Sequence, residues 1–435
     1  MVRRKDKRNK IGDTNFFLEF MKIKEHFFKE FNVRLKRVKD RRHSSYIKYP
    51  AEVILFMIIL KNIFNLETMR NMSESMNKEE CIDNVALLLG LDWLDELPHY
   101  DTINNFLSEL RPEELEKIRT YMIKELLKKR CLEGSRINDT YWAVIFDGTG
   151  LFHFNEKHCE HCLKREHTNE KTGEKKIIYM HHVLEAKLLV GDMVFSIGSE
   201  FIENESENVT KQDCELKAFD RLTEKIKRTY PRLPLCVLGD SLYACETIFK
   251  RCDEYHWKYL IRFKEGRIKS IATEFDTIKS IEKKMDEKFF WTNGIAYNQR
   301  TVNMFEANIE IEDNDIRTYT FITNLHITAK KAEEYIEIGR DRWKIENQGF
   351  KNQKKIRYHI EHANCRNYTA MKNHYLLTQI ADILMQLYEN GCRLLREIRK
   401  TAKEISSDLL EAIRTSRLTD EDILQLKKPK QIRFA

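Results

Sequence analysis

The sequence predicts a mixed α/β fold (α+β overall): an all-helical N-terminal region, then a mixed sheet flanked by helices, interrupted by an antiparallel β insertion and closed by helices. Three observations carry this. From Asn15 to about Arg130 apolar residues recur at three- and four-residue steps. After Gly134 and Ser135, short and nearly continuous apolar runs alternate with amphipathic stretches. Between about Lys264 and Ala329 that rhythm breaks into strand-like segments around an Asn293-Gly294 turn signal.

Taken in order, Phe16, Phe17, Phe20, Ile23 and Phe27 form the first helical stripe, and Pro50 opens another helix, where its missing N–H costs nothing. Tyr100–Leu110 begins with Asp101 or Thr102 as N-cap, and Pro112 opens the helix that runs to about Arg130. Tyr141–Phe146 is a buried strand ending in Asp147-Gly148-Thr149-Gly150. A polar loop rich in Cys and His spans about 155–176, and strands follow at Ile177–Leu188 and Asp192–Ile202. Val209–Tyr230 reads as a charged helix, Pro234–Leu238 as a strand ending in Gly239-Asp240, Tyr243–Tyr255 as helix and Trp257–Phe263 as strand. In the insertion, strands are expected at Phe289–Tyr297, Val302–Ile311 and Tyr319–Ile322. Lys330–Lys355 reads as one helix with Tyr335, Ile338, Arg342, Ile345 and Glu346 on one side. Tyr368–Tyr388 is an apolar helix, and the tail from Arg393 is amphipathic and basic. The expected organisation is a helical DNA-binding or scaffold domain with a basic arm (1–135), a first core segment (136–263), the β insertion (264–329), a second core segment with Glu346 (330–392) and a helical tail (393–435).

Composition narrows the class. Hydrophobic residues at 42% suffice for a sizeable core, and only 14 Gly and 6 Pro argue against loop-rich or low-complexity architectures. Val53–Leu60 is far short of the roughly 20 apolar residues a membrane span needs. The start MVRRKDKRNK leads into no apolar segment, so no secretory signal is expected. Ten irregularly spaced cysteines suit a reducing compartment, so a cytoplasmic location is expected. The net charge is +7, yet residues 1–48 hold 16 Lys/Arg against 6 Asp/Glu, which leaves the remainder at −3. A basic segment on a near-neutral body points to a polyanion, most simply nucleic acid, as against a solvated helix face and a disordered start.

Asp147 and Asp240 each follow an apolar β run and stand beside glycine. If their strands are neighbours, the carboxylates converge across about 5 Å. Glu346 is the third candidate, with Arg342 one turn before it and Lys351, Lys354 and Lys355 one to two turns after. Three carboxylates from separate elements suit a pair of Mg²⁺ or Mn²⁺ ions in phosphoryl transfer, with the basic residues gripping a nucleic-acid backbone. The plain alternative is that acids at strand ends are turn formers.

With VIFDGTGLF around Asp147, CVLGDSLYA around Asp240 and DRWKIENQGF around Glu346, the chain resembles the DDE transposases of bacterial insertion sequences, specifically the insertion-sequence-four-like group with a β-strand insertion before the catalytic Glu. VTKQDCELKAFDRLTEKIKRTYP and HYDTINNFLSEL add to the likeness, which extends over nearly the whole chain. The acids are spaced by 93 and 106 residues; the second gap is too wide for an uninterrupted RNase-H-like core. The resemblance implies an RNase-H-like sheet, catalytic and metal-binding roles for Asp147, Asp240 and Glu346, DNA contacts by Arg342, Lys351 and Lys354, and stacking of Trp291 on a flipped base. It also implies cleavage at element ends, attack of the freed 3′-OH on target DNA, and homo-oligomers on DNA. In the family's Tyr-x2-Arg-x3-Glu-x6-Lys signature, Arg342 and Glu346 match, while Gly339 stands at the tyrosine position and Gln353 at the lysine position, with Lys354 next to it. Tyr335 is a displaced substitute for the tyrosine, or plain helix packing. Two other functions remain open: a non-catalytic DNA-binding protein derived from a transposase, and a nuclease of the same core without strand transfer.

Cys159 and Cys162 form a Cys-x2-Cys pair among His153, His158, His161, His167, His181 and His182. Such a pair is half of many structural Zn²⁺ sites; the alternative is a polar loop beside the active strand. His181 and His182 are adjacent on a strand, so only one of them can face any one site. Trp291, likewise, has the alternative of simple packing in an antiparallel sheet.

Overall fold

The computed structural model describes residues 15–168, 173–206, 211–282, 289–311, 315–428, 430–432 and 434. The first ten residues, expected to be disordered, lie outside them. The chain divides into two units, 1–132 with 351–435 and 133–350. The sequence-drawn boundaries at 330 and 392 therefore differ from this division, which ends the sheet unit at Phe350.

The helical unit comprises α1 (Phe16–Phe27), α2 (Phe31–Lys36), α3 (Ala51–Ile63), α4 (Met69–Met76), α5 (Glu79–Leu89), α6 (Tyr100–Glu109) and α7 (Pro112–Leu127) from the front of the chain. Asn15 caps α1 through Leu18 N at 2.9 Å, and the phenylalanine stripe of α1 is buried. The N-cap of α6 is His99, which accepts from Asp101 N. The expected caps Asp101 and Thr102 instead form its first turn. Helix α3 is apolar nearly all round and is buried accordingly. It packs on α12 (Tyr368–Gly391), as do α6 and α7. Buried amides join the two ends of the chain: Asn373 Nδ2 donates to Leu107 O and Leu110 O at 2.8 and 2.7 Å. Asn84 Nδ2 donates to Ile413 O and Ser416 O, both at 2.8 Å. Helices α13 (Arg393–Ile398), α14 (Ala402–Thr415) and α15 (Asp420–Leu426) complete the unit. Of the basic residues in 15–48, Lys22, Lys24, Arg34, Arg42 and Lys48 are in ion pairs within this unit. The described part of the basic segment is thus packed into the helical unit, as helix up to Lys36 and mostly as turns after it.

The second unit is one mixed sheet with helices. Its strands are β1 (Arg136–Ile137), β2 (Tyr141–Phe154), β3 (Leu163–Thr168), β4 (Lys175–Val190), β5 (Met193–Ile202), β6 (Leu235–Gly239), β7 (Lys258–Arg262), β8 (Phe289–Tyr297), β9 (Arg300–Ile311) and β10 (Asp315–Thr323). The core order is β5-β4-β2-β6-β7. The first three strands are antiparallel to one another, while β2, β6 and β7 run parallel. Numbered along the core this is 3-2-1-4-5, the RNase-H-like arrangement. Strand β10 pairs antiparallel with β7 and carries β9 and β8 outward, so the insertion extends the sheet. Within the stretch expected to be a loop, β3 pairs with the first half of β4. After the buried Leu163 its residues are polar and exposed, so no apolar pattern marked it.

Helices α8 (Glu215–Thr229), α9 (Glu246–Tyr255), α10 (Lys269–Ile281) and α11 (Ala329–Asp341) flank the sheet. Residues 207–210, in the expected start of the helix before β6, lie outside the described set. The expected single helix over Lys330–Lys355 is instead α11 followed by π-helical turns at Ile345–Phe350 and Asn352–Ile356. A buried cluster including Ile145, Leu238, Leu260, Phe305, Phe321, Tyr335 and Ile345 joins sheet, insertion and α11.

Candidate active site

Strand β2 carries Asp147 at its middle rather than at the end expected from the sequence, because pairing with β4 continues through Gly148–Gly150 to Phe154, and β6 delivers Asp240. In their parallel pairing Val144 stands opposite Val237 and Ile145 opposite Leu238. The pairing ends there, and Asp147 and Asp240 each stand two residues further along the chain. Asp240 lies one residue beyond β6 and caps a 3₁₀ turn, accepting from Leu242 N at 2.7 Å. Glu346 occupies the first π turn after α11. Such turns are frequent at functional sites because they displace side chains from regular helical positions.

Arg342 connects these acids. Its Nη1 is 3.4 Å from Glu346 Oε1 and 3.9 Å from Asp147 Oδ2, and its side chain is buried. Burial, partly offset by Arg342, pushes the Asp147 carboxyl up to about 7; repulsion from Glu215, Glu346 and Asp240 adds to the rise. Four carboxylates therefore act electrostatically on one locus.

Glu215 was not singled out from the sequence. It is the first residue of α8, where an acid looks like an ordinary complement to the helix dipole. In the structure it accepts a hydrogen bond from the buried Tyr243 hydroxyl, and Gly148 N–H donates to it. A Cβ at Gly148 would stand 2.6 Å from Glu215 Oε2, so glycine beside Asp147 is what permits the approach. Burial raises the Glu215 carboxyl above its usual range, and Asp240 adds to this. Opposite Asp147 on β4 is Glu185, which accepts from Ser199 Oγ. Lys187, fully buried, stands opposite Ile145 with its ammonium 5.9 Å from the Phe350 ring centroid.

The other candidates are distributed as follows. Trp291 pairs with Phe305 on β9 and is half-buried against the core cluster. The exposed aromatic beside the acids is Trp343, 51% accessible, with the Arg342 guanidinium 5.2 Å from its ring centroid. Tyr335 is buried and accepts from Asn138 Nδ2 at 3.0 Å, which is a packing role. Gly339 lies against Phe321, whose Cε1 would be 2.5 Å from an added Cβ. In the helical unit, Lys351 is exposed and Lys354 pairs with Glu361 at 2.9 Å. Gln353, at the signature lysine position, is buried and donates to Asp382 and Gln379 at 2.8 and 3.1 Å. Cys159, Cys162 and His181 converge beside the first half of β4, while His182 faces the other way, toward His153.

Hard carboxylate oxygens from three separate elements are a donor set suited to Mg²⁺ or Mn²⁺ rather than to a softer ion. Among the described residues no helix is long and apolar enough to cross a membrane.

Residues 33–122 match a family model described as DDE_Tnp_1-associated, and residues 201–383 match one described as Transposase DDE domain. No curated protein matches the chain. Among solved structures, the chain is similar to a piggyBac transposase in a synaptic complex with hairpin DNA, at 10% identity and a TM-score of 0.43, covering 95% of this chain and 82% of that one. Residues 201–383 thus fall in the DDE transposase domain family, and residues 33–122 in the region associated with that domain.

Proposed function

We propose that the protein is the transposase of an insertion-sequence element, cutting DNA at the element ends and joining the freed 3′-OH to target DNA. The observation that carries this reading is the Arg342 guanidinium set between Asp147 on β2 and Glu346 on the π turn, at 3.9 and 3.4 Å, with Asp240 at the end of the neighbouring parallel strand β6. In cleavage, water attacks the phosphorus, the P–O3′ bond breaks, and the products are a 3′-OH and a 5′-phosphate. In joining, that 3′-OH attacks a target phosphodiester and releases another 3′-OH, so no external energy source is required. Two Mg²⁺ or Mn²⁺ ions held by Asp147, Asp240 and Glu346 would activate the attacking oxygen and stabilise the leaving one. Arg342 orients Asp147 and Glu346 in the metal-free site and then offers its guanidinium to a phosphate. Trp343 supplies an aromatic face for a displaced base, and a second copy of the chain binds the other element end. Retention of all three acids favours an enzyme over a pure DNA-binding module, since clustered like charges destabilise a site that has no cation to hold.

The test is cleavage of DNA carrying the segments that flank the coding sequence, in Mg²⁺ and in Mn²⁺. Asp147→Asn, Asp240→Asn and Glu346→Gln should each lose at least 10³-fold in cleavage, on the scale of lost transition-state electrostatics, while retaining DNA binding in gel shifts. Cleavage at the wild-type rate by any of the three removes that residue from the site.

A further inference from the structure

We propose that Cys159, Cys162 and His181 hold a structural zinc ion that pins the turn after β2 onto β4, outside the catalytic centre. The three ligand atoms already stand at the separations of a tetrahedral site. Cys159 Sγ is 3.7 Å from Cys162 Sγ, and His181 Nε2 is 3.5 and 3.4 Å from the two sulfurs. Bonds of about 2.3 Å to sulfur and about 2.0–2.1 Å to nitrogen in a tetrahedron imply about 3.8 Å between sulfurs and about 3.5 Å from sulfur to nitrogen. A sulfur separation of 3.7 Å is far outside the roughly 2.05 Å of a disulfide.

The surrounding backbone has the form of a metal knuckle. Cys159 N–H points at Cys162 Sγ at 3.4 Å, and Cys162 N–H returns to Cys159 O at 3.4 Å. The turn is held from behind by Asn204: its side chain donates to Cys162 O at 2.9 Å, and its N–H donates to His161 O at 3.2 Å. Such outer contacts orient metal ligands. Cys162 and His181 are buried, and Cys159 is partly exposed, which leaves the ion a route in. His158, whose ring lies 6.3 Å from that of His181, is the imidazole placed to close the fourth position by turning off its stack on Phe154. Two thiolates and imidazoles select zinc over Mg²⁺, so this site and the carboxylate centre take different ions.

The placement gives the ion a purpose. His181 pairs with Phe152, next to the irregularity in the β2–β4 ladder between Gly150 and Phe152. A cross-link there fixes the distal part of the strand that bears Asp147.

The experiment uses the full-length protein from zinc-supplemented culture, purified without chelator. Elemental analysis should return about one zinc per chain, retained by Asp147→Asn and lost in Cys159→Ser and His181→Ala. Cys159→Ser is the milder variant, because its side chain is partly exposed. Replacement of the metal by Co²⁺ should give a thiolate-to-cobalt charge-transfer band that weakens in Cys159→Ser. The proposal is overturned by zinc-free wild-type protein that develops no such band with Co²⁺, or by a zinc content unchanged in Cys159→Ser. None of these readouts depends on DNA cleavage.

Discussion

Gly339 sits inside α11, three residues before Arg342, and its substitution by alanine sets two effects of known size against each other. Removing glycine from a helix interior gains about 1 kcal/mol. Against this, the new Cβ would lie 2.5 and 2.8 Å from Cε1 and Cζ of Phe321, well inside the roughly 3.5–4.0 Å of a favourable carbon contact. Phe321 has little room to move: it is buried, stacks on Phe305 at 5.1 Å between centroids, and carries the Arg262 guanidinium at 5.5 Å. Overpacking of this kind costs about 1–3 kcal/mol. Gly339→Ala should therefore lower stability by about 1 kcal/mol net, and cleavage should fall, because α11 leads directly into Arg342 and Glu346. Urea unfolding of the single variant, of Phe321→Leu and of the double variant measures the balance. In the Phe321→Leu background the same alanine should become stabilising by about 1 kcal/mol, since only the helix-propensity gain survives. A stabilising Gly339→Ala in the wild-type background would refute the close approach of helix and ring. It would also remove the reason for glycine where the signature has tyrosine.

Gly148→Ala should displace Glu215 from beside Asp147 and reduce cleavage at least tenfold while leaving DNA binding intact; wild-type turnover would mean that Glu215 has no part in the site. Trp343→Ala should weaken binding of DNA with an unpaired end by about 1–3 kcal/mol, the usual worth of a base stack, whereas Trp291→Ala should act mainly on stability; the reverse pattern in gel shifts and melting curves would exchange their roles. His374 is pushed down to about 3 by burial, with Nε2 2.9 Å from Asn104 Oδ1. Its folded value is below its unfolded one, so its contribution is full above about pH 6.5 and declines as the pH falls toward 3. Between pH 6.5 and 5 the loss is about 2 kcal/mol, and equal urea midpoints at the two pH values would contradict a buried neutral imidazole.

The parts of the site readable in the sequence were those written locally. Asp147 and Asp240 follow apolar runs, and a buried run that meets an acid is visible in a dozen residues, although the continuation of β2 past Asp147 to Phe154 was not. Their shared register was not visible, because pairing between strands 93 residues apart leaves no trace in either segment. Glu215 was hidden for a different reason: an acid in the first turn of a helix is ordinary, and only the sheet beneath reveals what it faces. The π turns at Glu346 escaped because the underlying residues keep a helical pattern while the hydrogen-bond ladder changes. Strand β3 escaped because after Leu163 its residues are polar on both faces. Trp291 and Trp343 look equally available in the sequence, and burial alone separates them.

Assembly of the helical unit from the two ends of the chain bears on how the protein emerges from the ribosome. Helix α3, apolar nearly all round, has its buried partner in α12, and 218 residues of the other unit are synthesised between the two parts. At roughly 5–20 residues per second that interval lasts about 10–45 s. For that time the first helices present uncovered greasy surface while the sheet unit, continuous in sequence, can complete itself. A nascent chain of this kind is a natural client for chaperones that hold its leading segment, and a product stopped before α12 would leave that surface permanently bare.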